Sequence, residues 1–379
     1  MGSRRGAAPA LAMKREAYTA AKTVSPVLHA YFVSHREAAL RCGEQRLAPE
    51  PDVETIEAMV DAAFWASLRR EEGYATRVSL ALLAPEEAHE PILFERRLPL
   101  DPGALTRVAP AVERPGIHLG IWRHDGELCV WGATRGIPFL CFVVEVVAPG
   151  LLVVKHHNGE RMRKFINVAV LEGDQIKLVD ERASERPDSP QLLRSLLHFD
   201  SQASGRQSLI TLVRLAISMR EHGRGGTLLI VPVDTDSWRE SIMQPMPYAI
   251  SPPFGQLAGP DGESAAAAIA SIGGLTAVDG ATVLNSRYEL LGFGTKIVRQ
   301  QGSPRVERVL LSEPTHGSTA ALVHPDQLGG TRHLSAAQFV QDQRDAVALV
   351  ASQDGRFTVF EWSPTEATVH AHRMEMLLL

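Results

Sequence analysis

Cysteine is scarce in this chain, and so is any surplus of charge. Cys42, Cys129 and Cys141 are the 3 cysteines of 379 residues, and they form no CxxC pair. That pattern excludes a disulfide framework and predicts a reducing, cytoplasmic setting. The 39 Lys and Arg are outnumbered by 44 Asp and Glu, a formal net charge of -5. A protein that coats nucleic acid needs surplus cations for the phosphates, so no nucleic-acid partner is expected. No apolar run reaches the length of a membrane span, so no membrane partner is expected either. Familiar catalytic signatures are also missing. There is no GxxxxGK[ST] loop, no HExxH and no GxSxG, and Gly292-Phe293-Gly294 lacks the third glycine of a dinucleotide fingerprint. His156-His157 and the His370/His372 pair stand isolated and read as packing or surface histidines, not metal ligands.

What remains is the composition of an ordinary folded protein, 45% hydrophobic and 22% charged. The length argues for two domains. Residues 1–22 are basic and Ala-rich, with an apolar stretch too short for a signal peptide core, and read as a disordered tail. Asp180 to Pro190 reads DERASERPDSP, charged and without apolar period, so 181–190 is taken as an exposed linker. It separates a smaller α+β domain, 23–180, from an α/β domain, 191–379.

In the first domain Val53, Ile56, Val60, Ala63 and Phe64 recur at helical spacing behind an Asp52 N-cap. Strands are expected at 77–83, 117–122, 127–131, 139–147, 151–155 and 165–170. His124-Asp125-Gly126 supplies a hairpin turn between the second and third. In the second domain Leu209, Leu212, Val213, Ala216 and Met219 form one helix face that stops at Gly223. The apolar run 227–231 reads as a buried strand. An Ala-rich helix at 264–272 and a helix at about 333–341 alternate with strands at 281–284, 288–293, 306–311, 346–351 and 357–362. Gly302-Ser303-Pro304 marks a hairpin. The expectation is a mixed β-sheet flanked by helices.

Three short segments carry chemistry. Asp279-Gly280-Ala281 opens a strand, presenting a carboxylate where the backbone can approach a ligand closely. Gly330-Thr331-Arg332-His333 opens a helix and gathers free N–H groups, a hydroxyl, a guanidinium and an imidazole, a cradle for phosphate. Ser352 ends a buried strand, where α/β proteins often hold ligands. Taken alone, each also reads as an ordinary turn or helix cap.

Together these segments resemble the diadenylate cyclase domain family, which carries a DGA motif, a GTRHR motif and a Ser-Glu turn. The flanking stretches LVRLAISMREHGRGGTLLIV (212–231) and DQRDAVALVASQDGRFTVF (342–360) extend the resemblance to about 209–362. The first domain is similar around Phe64-Trp65-Ala66-Ser67-Leu68 and 113–120 to DACNV, a probable sensor region found ahead of some members. Two positions depart from the pattern: Leu334 stands for the last arginine and Gln353 for the glutamate, and the stretch from Asp279 to Thr331 is longer than usual.

The resemblance implies the diadenylate cyclase fold and the joining of two ATP into cyclic di-AMP with release of two pyrophosphates. It implies a divalent metal, Mn2+ or Mg2+, at Asp279. Arg332 and His333 would act on the phosphates, with Gly280, Ala281, Phe293, Gly294, Gly330, Thr331 and Ser352 contacting ATP. It also implies that catalytic domains meet face to face in a homodimer or higher homo-oligomer. The alternative is a degenerate nucleotide-binding sensor of the same fold without turnover, which Leu334 and Gln353 favour.

Overall fold

The computed structural model describes residues 16–158, 165–185, 189–190, 192–193, 206–255 and 263–379. It divides into two compact units, Met1–Ile176 and Lys177–Leu379. No helix among the described residues is long and apolar enough to cross a membrane.

The first unit opens with α1 (Thr19–Arg41) and α2 (Val53–Ser67). Residues 1–15 of the expected tail lie outside the described residues. Its last part is not a tail: Ala20, Ala21, Val24, Leu28 and Phe32 are buried along one face of α1. The basic, Ala-rich text hid a helical apolar period that starts at Ala20. Asp52 does cap α2, its carboxylate accepting from Thr55 N–H at 2.7 Å.

A small hairpin, β1 (Arg70–Glu71) and β2 (Tyr74–Ala75), precedes the main sheet. That sheet holds β3 (Ser79–Leu82), β4 (Ile92–Pro99), β5 (His118–His124), β6 (Glu127–Thr134), β7 (Phe142–Ala148), β8 (Leu151–His157), β9 (Phe165–Glu172) and β10 (Gln175–Leu178), with α3 (Pro102–Val108) between β4 and β5. The order is β10-β9-β8-β7-β3-β5-β6-β4, and β3 runs parallel to β5. Asp125 and Gly126 both hold positive φ, the backbone a tight β5–β6 hairpin requires. His156 is buried beside Tyr31 and Phe32 of α1, a packing role for that histidine.

The second unit is a nine-stranded mixed sheet with helices. Its elements are α4 (Arg206–Glu221), β11 (Gly226–Val231), β12 (Tyr248–Phe254), α5 (Glu263–Leu275), β13 (Ala281–Asn285), β14 (Leu290–Thr295), β15 (Val309–Ser312), β16 (Ala321–Val323), α6 (Thr331–Asp342), β17 (Val347–Ala351), β18 (Phe357–Ser363) and β19 (Thr368–Arg373). The order is β12-β14-β13-β11-β17-β18-β19-β15-β16. Alternate residues face opposite sides. Leu229, Val231, Ala348, Val350 and Phe360 pack with Ala336, Phe339 and Val340 of α6. Residues of the other parity, Ile230, Leu349 and Val359, lie with Leu212 of α4.

Two expectations fail here. The 181–190 stretch is not a bare linker: Glu181–Glu185 forms a 3-10 turn, and Ala183, Ser189 and Pro190 are buried. Backbone bonds from Asp180 N–H to Pro314 and from His316 N–H to Leu178 tie its start to the 312–316 loop. Residues 186–188 lie outside the described residues. Nor does 302–304 close a hairpin, because β14 and β15 sit far apart in the sheet. The loop between them is instead anchored to α6, where Asp342 accepts from Gln300 N–H at 2.9 Å and from the Ser303 hydroxyl.

Candidate functional site

Sheet register gathers the singled-out segments. β13 runs parallel to β11, pairing Ala281 with Thr227, and β17 runs antiparallel, pairing Ala351 with Gly226. Ala281 also pairs with Thr295 at the end of β14, and Ala351 with Phe357 at the start of β18. Asp279, Gly294 and Ser352 therefore lie at the same end of the sheet, although 73 residues separate the first from the last. Neighbouring strands are about 4.8 Å apart, so Asp279 and Ser352, two strands removed, stand roughly 10 Å from each other.

The Asp279 side of this end is built by glycine. Gly280 has φ +103, and a Cβ there would lie 2.7 Å from the Gly294 carbonyl oxygen. Only a residue without a side chain allows this approach. It leaves Asp279 exposed at the mouth of β13. Gly294, φ +67, gives room on its other flank to the Tyr248 ring of β12. Tyr248 stacks on Phe293 with centroids 4.7 Å apart and planes 13° apart. The Phe293 ring is thus covered on one face by Tyr248, which is itself 53% exposed. Tyr248 is a residue the sequence reading missed. An isolated Tyr in a Pro-rich stretch gives no period to read.

The Ser352 side is cationic. Gly330 caps α6 without a side-chain hydrogen bond, and Thr331 beside it is exposed. The first N–H groups of α6 keep their partial positive charge. Arg332 reaches toward the start of β11, its Nη1 3.1 Å from where a Gly225 Cβ would stand. Arg224 is close enough to join Arg332 in lowering the His222 pKa, after burial. Gln353 donates to the Arg224 carbonyl at 3.2 Å. The Ser352 hydroxyl donates to Asp354, the main influence holding that carboxylate below its usual range. Arg356 pairs with Asp354 at 3.3 Å. Arg224 and Arg356 were also missed, though both lie inside the stretches that carry the cyclase resemblance.

His333 differs from the others. It is 2% exposed, its ring against Phe360 and its Nε2 3.5 Å from the Thr358 hydroxyl. Burial takes its pKa down to about 4; Arg373, Arg356 and Arg332 push the same way and Asp354 opposes them. The imidazole is packed neutral under the first turn of α6, against Phe360 and Thr358, and is not a group that meets solvent. The unfolded chain protonates this imidazole near its ordinary 6.5, whereas the folded chain resists to about 4. Stability should therefore fall as pH drops through that window. The urea midpoint of a His333→Leu variant should lose less between those pH values than that of the wild type.

A metal at this end would rest on Asp279. Among the described residues no group of three or more His, Cys, Asp or Glu is placed to hold a cation. Asp354 is instead engaged by the Ser352 hydroxyl and by Arg356. Magnesium-type sites use one or two carboxylates and complete the shell with substrate phosphates and water. Asp279 fits that pattern only with a nucleotide bound.

A cavity of about 450 Å³ opens at the opposite end of the sheet, by Ile230, Ser286, Val347 and Glu361. It is remote from every residue singled out above.

Residues 45–135 match a family described as "Probable sensor domain DACNV". The match lies within the first unit and spans α2 to β6. It does not reach the second unit. Among curated proteins, none matches the chain. A solved structure titled as a hypothetical membrane spanning protein from Bacillus cereus aligns at 16% identity. The alignment covers 48% of this chain and 71% of that one, with a TM-score of 0.28, too slight a likeness to bear on the fold.

Proposed function

We propose that the second unit is a diadenylate cyclase, fed by a sensor region in the first unit. The observation that carries this reading is the convergence of Asp279-Gly280, Gly294, Arg332 and Ser352 at one sheet end. The order and flanking text of the same segments resemble the cyclase family. The DACNV match in the first unit supports the same pairing of sensor and cyclase.

Each ribose 3′ oxygen attacks the α-phosphorus of the other ATP. The bond from that phosphorus to pyrophosphate breaks, and the hydroxyl proton leaves to solvent. Asp279 would hold a Mn2+ or Mg2+ ion, which supplies Lewis-acid polarisation when bound. Thr331, Arg332 and the open N–H groups of α6 hold the triphosphate, where charge builds as pyrophosphate departs. Arg224 and Arg356 add to the positive field. The close backbone contact at Gly280, Ala281 and Gly294 shapes the floor for the nucleoside, and the Tyr248 face offers a stacking surface for adenine. One unit holds one ATP, so turnover needs two units face to face, in a homodimer or larger assembly.

The decisive test is incubation of the full chain with ATP and either metal, followed by mass spectrometry for cyclic di-AMP. Product is expected. ATP binding with no product under either metal favours the second reading, a nucleotide sensor without turnover. That reading is motivated by Gln353 and by Leu334, which packs on the core where the family pattern has arginine.

Tyr248→Ala should raise the KM for ATP by about tenfold, since a base–aromatic stack contributes ~1–3 kcal/mol. The same variant should leave the unfolding midpoint almost unchanged, because half of the ring is already exposed. An unchanged KM would remove Tyr248 from the base site.

A further inference from the structure

The loop that carries Arg224 is tied at both of that residue's peptide groups. It joins α4 to β11, with Gly223 and Gly225 at positive φ on either side of Arg224. The Arg224 carbonyl accepts from Gln353 at 3.2 Å, and the Arg224 N–H donates to Nδ1 of His222 at 3.1 Å. The other ring nitrogen of His222, Nε2, lies 3.1 Å from the Thr276 hydroxyl oxygen. That hydroxyl donates to the Gly273 carbonyl of α5 at 2.6 Å. Thr276 is 1% exposed and packs so closely on β11 that a Gly226 Cβ would stand 2.7 Å from its Oγ1. The anchor of this relay is therefore rigid.

These bonds fix the tautomer of His222. A backbone N–H can only donate, so Nδ1 offers its lone pair and the hydrogen of the neutral ring sits on Nε2, aimed at Thr276. Protonation breaks the relay. Both nitrogens of an imidazolium carry hydrogen, so neither ring orientation leaves an acceptor for the Arg224 N–H. The surrounding charges oppose protonation. Burial comes first in lowering the His222 pKa below its usual 6.5, and Arg224 of the same loop and Arg332 of α6 act in the same direction. Glu221 before it is exposed, and α5 ends without charge and brings only Thr276. The β17–β18 turn brings neutral Gln353, and its Asp354 is engaged by Ser352 and Arg356. The latch is thus complete above about pH 6.5 and is lost as pH falls through the lowered value.

We propose that His222 is an acid-sensitive latch on the phosphate side of the site: neutral, it fixes the Arg224 loop for the triphosphate, and protonated, it lets that loop go. His222 is a positioning residue, acting through Arg224. That Arg224 serves a triphosphate rests on the cyclase reading, whereas the latch itself does not.

The test uses the full chain. Imidazole nitrogen NMR at about pH 7.5 should show His222 with hydrogen on Nε2 alone, and the Arg224 amide signal should titrate together with the ring. Calorimetry with ATP and Mg2+ then compares the wild type with two variants. His222→Leu has no acceptor and should bind about fivefold more weakly, as loss of an ordinary hydrogen bond does. His222→Asn should restore binding to within about twofold, because an Asn side-chain oxygen accepts from the N–H two residues on, here that of Arg224. Between about pH 7.5 and 5.5 the wild type should lose several-fold more affinity than His222→Asn, which cannot titrate there. Protonation of the nucleotide itself is common to both proteins and drops out of the comparison. A ring with hydrogen on Nδ1, an Arg224 amide indifferent to the titration, or equal binding by the Leu and Asn variants would overturn the latch. Acid that tightens wild-type binding relative to the Asn variant would overturn it too, by making the imidazolium a phosphate ligand. Absence of ATP binding in a wild type whose ring and amide signals are as expected would instead sink the cyclase reading, and the control of ATP binding with it.

Discussion

Asp279→Asn is expected to abolish cyclic di-AMP formation while leaving ATP bound. Asparagine keeps the shape of the side chain and its exposed position ahead of β13, so the fold has no reason to respond. What changes is charge. The neutral amide holds a divalent cation poorly, and Asp354 on the Ser352 side is already occupied by Ser352 and Arg356. Losing the cation's polarisation of the α-phosphate costs several kcal/mol of transition-state stabilisation, or about a thousandfold in rate. The cationic side, Arg332 with Arg224 and Arg356, stays intact, so nucleotide affinity should fall far less than turnover. Product yield by mass spectrometry and ATP affinity by calorimetry separate the two. Full activity in the variant would remove Asp279 from the site. A large loss of affinity together with turnover would mean that Asp279 binds substrate and does not act mainly in the reaction step.

The sequence made some of this arrangement legible and hid the rest for physical reasons. Local signals served well. The Asp52 cap, the Asp125-Gly126 turn and the Gly223 stop are set by neighbours within a few residues, and each is found in the structure. The three chemistry-bearing segments were also visible, because each interrupts the apolar text at the end of an expected strand or helix. Their meeting was not readable from spacing. It depends on β11 pairing parallel to β13 on one side and antiparallel to β17 on the other, a long-range choice. His333 shows the limit of a motif. In the text it stands beside Arg332 as an equal, but one step along a helix turns a residue about 100°. The structure puts Arg332 at the sheet end and His333 into the core beside Phe360. The strand β19 was missed because its alternation of buried Val369 and Ala371 is masked by two histidines that are also buried.

Gly120→Ala should be among the most damaging single changes in the first unit. Gly120 of β5 lies opposite Gly132 of β6 and beside Ala81 of β3. These small residues are not idle. The Trp131 ring lies over Gly120, and a Cβ added there would land within the indole. Trp131 cannot step aside cheaply. It is 2% exposed, and its Nε1–H donates to the Leu83 carbonyl at 2.8 Å. Its neighbours Ala81, Leu83, Cys141 and Val143 form one of the buried clusters of this unit. Moving the ring adds overpacking, about 1–3 kcal/mol, to a broken buried hydrogen bond, about 1–3 kcal/mol more. The sum, roughly 2–6 kcal/mol, is a large part of the 5–15 kcal/mol that holds a typical domain folded. Urea unfolding followed by tryptophan fluorescence should show a much lower midpoint. The mechanism has its own control. In a Trp131→Leu background the indole is already gone, so adding Gly120→Ala should cost little more, and the two changes should be strongly non-additive. Additive losses would mean that the β5 backbone, not the indole, demands glycine at this position.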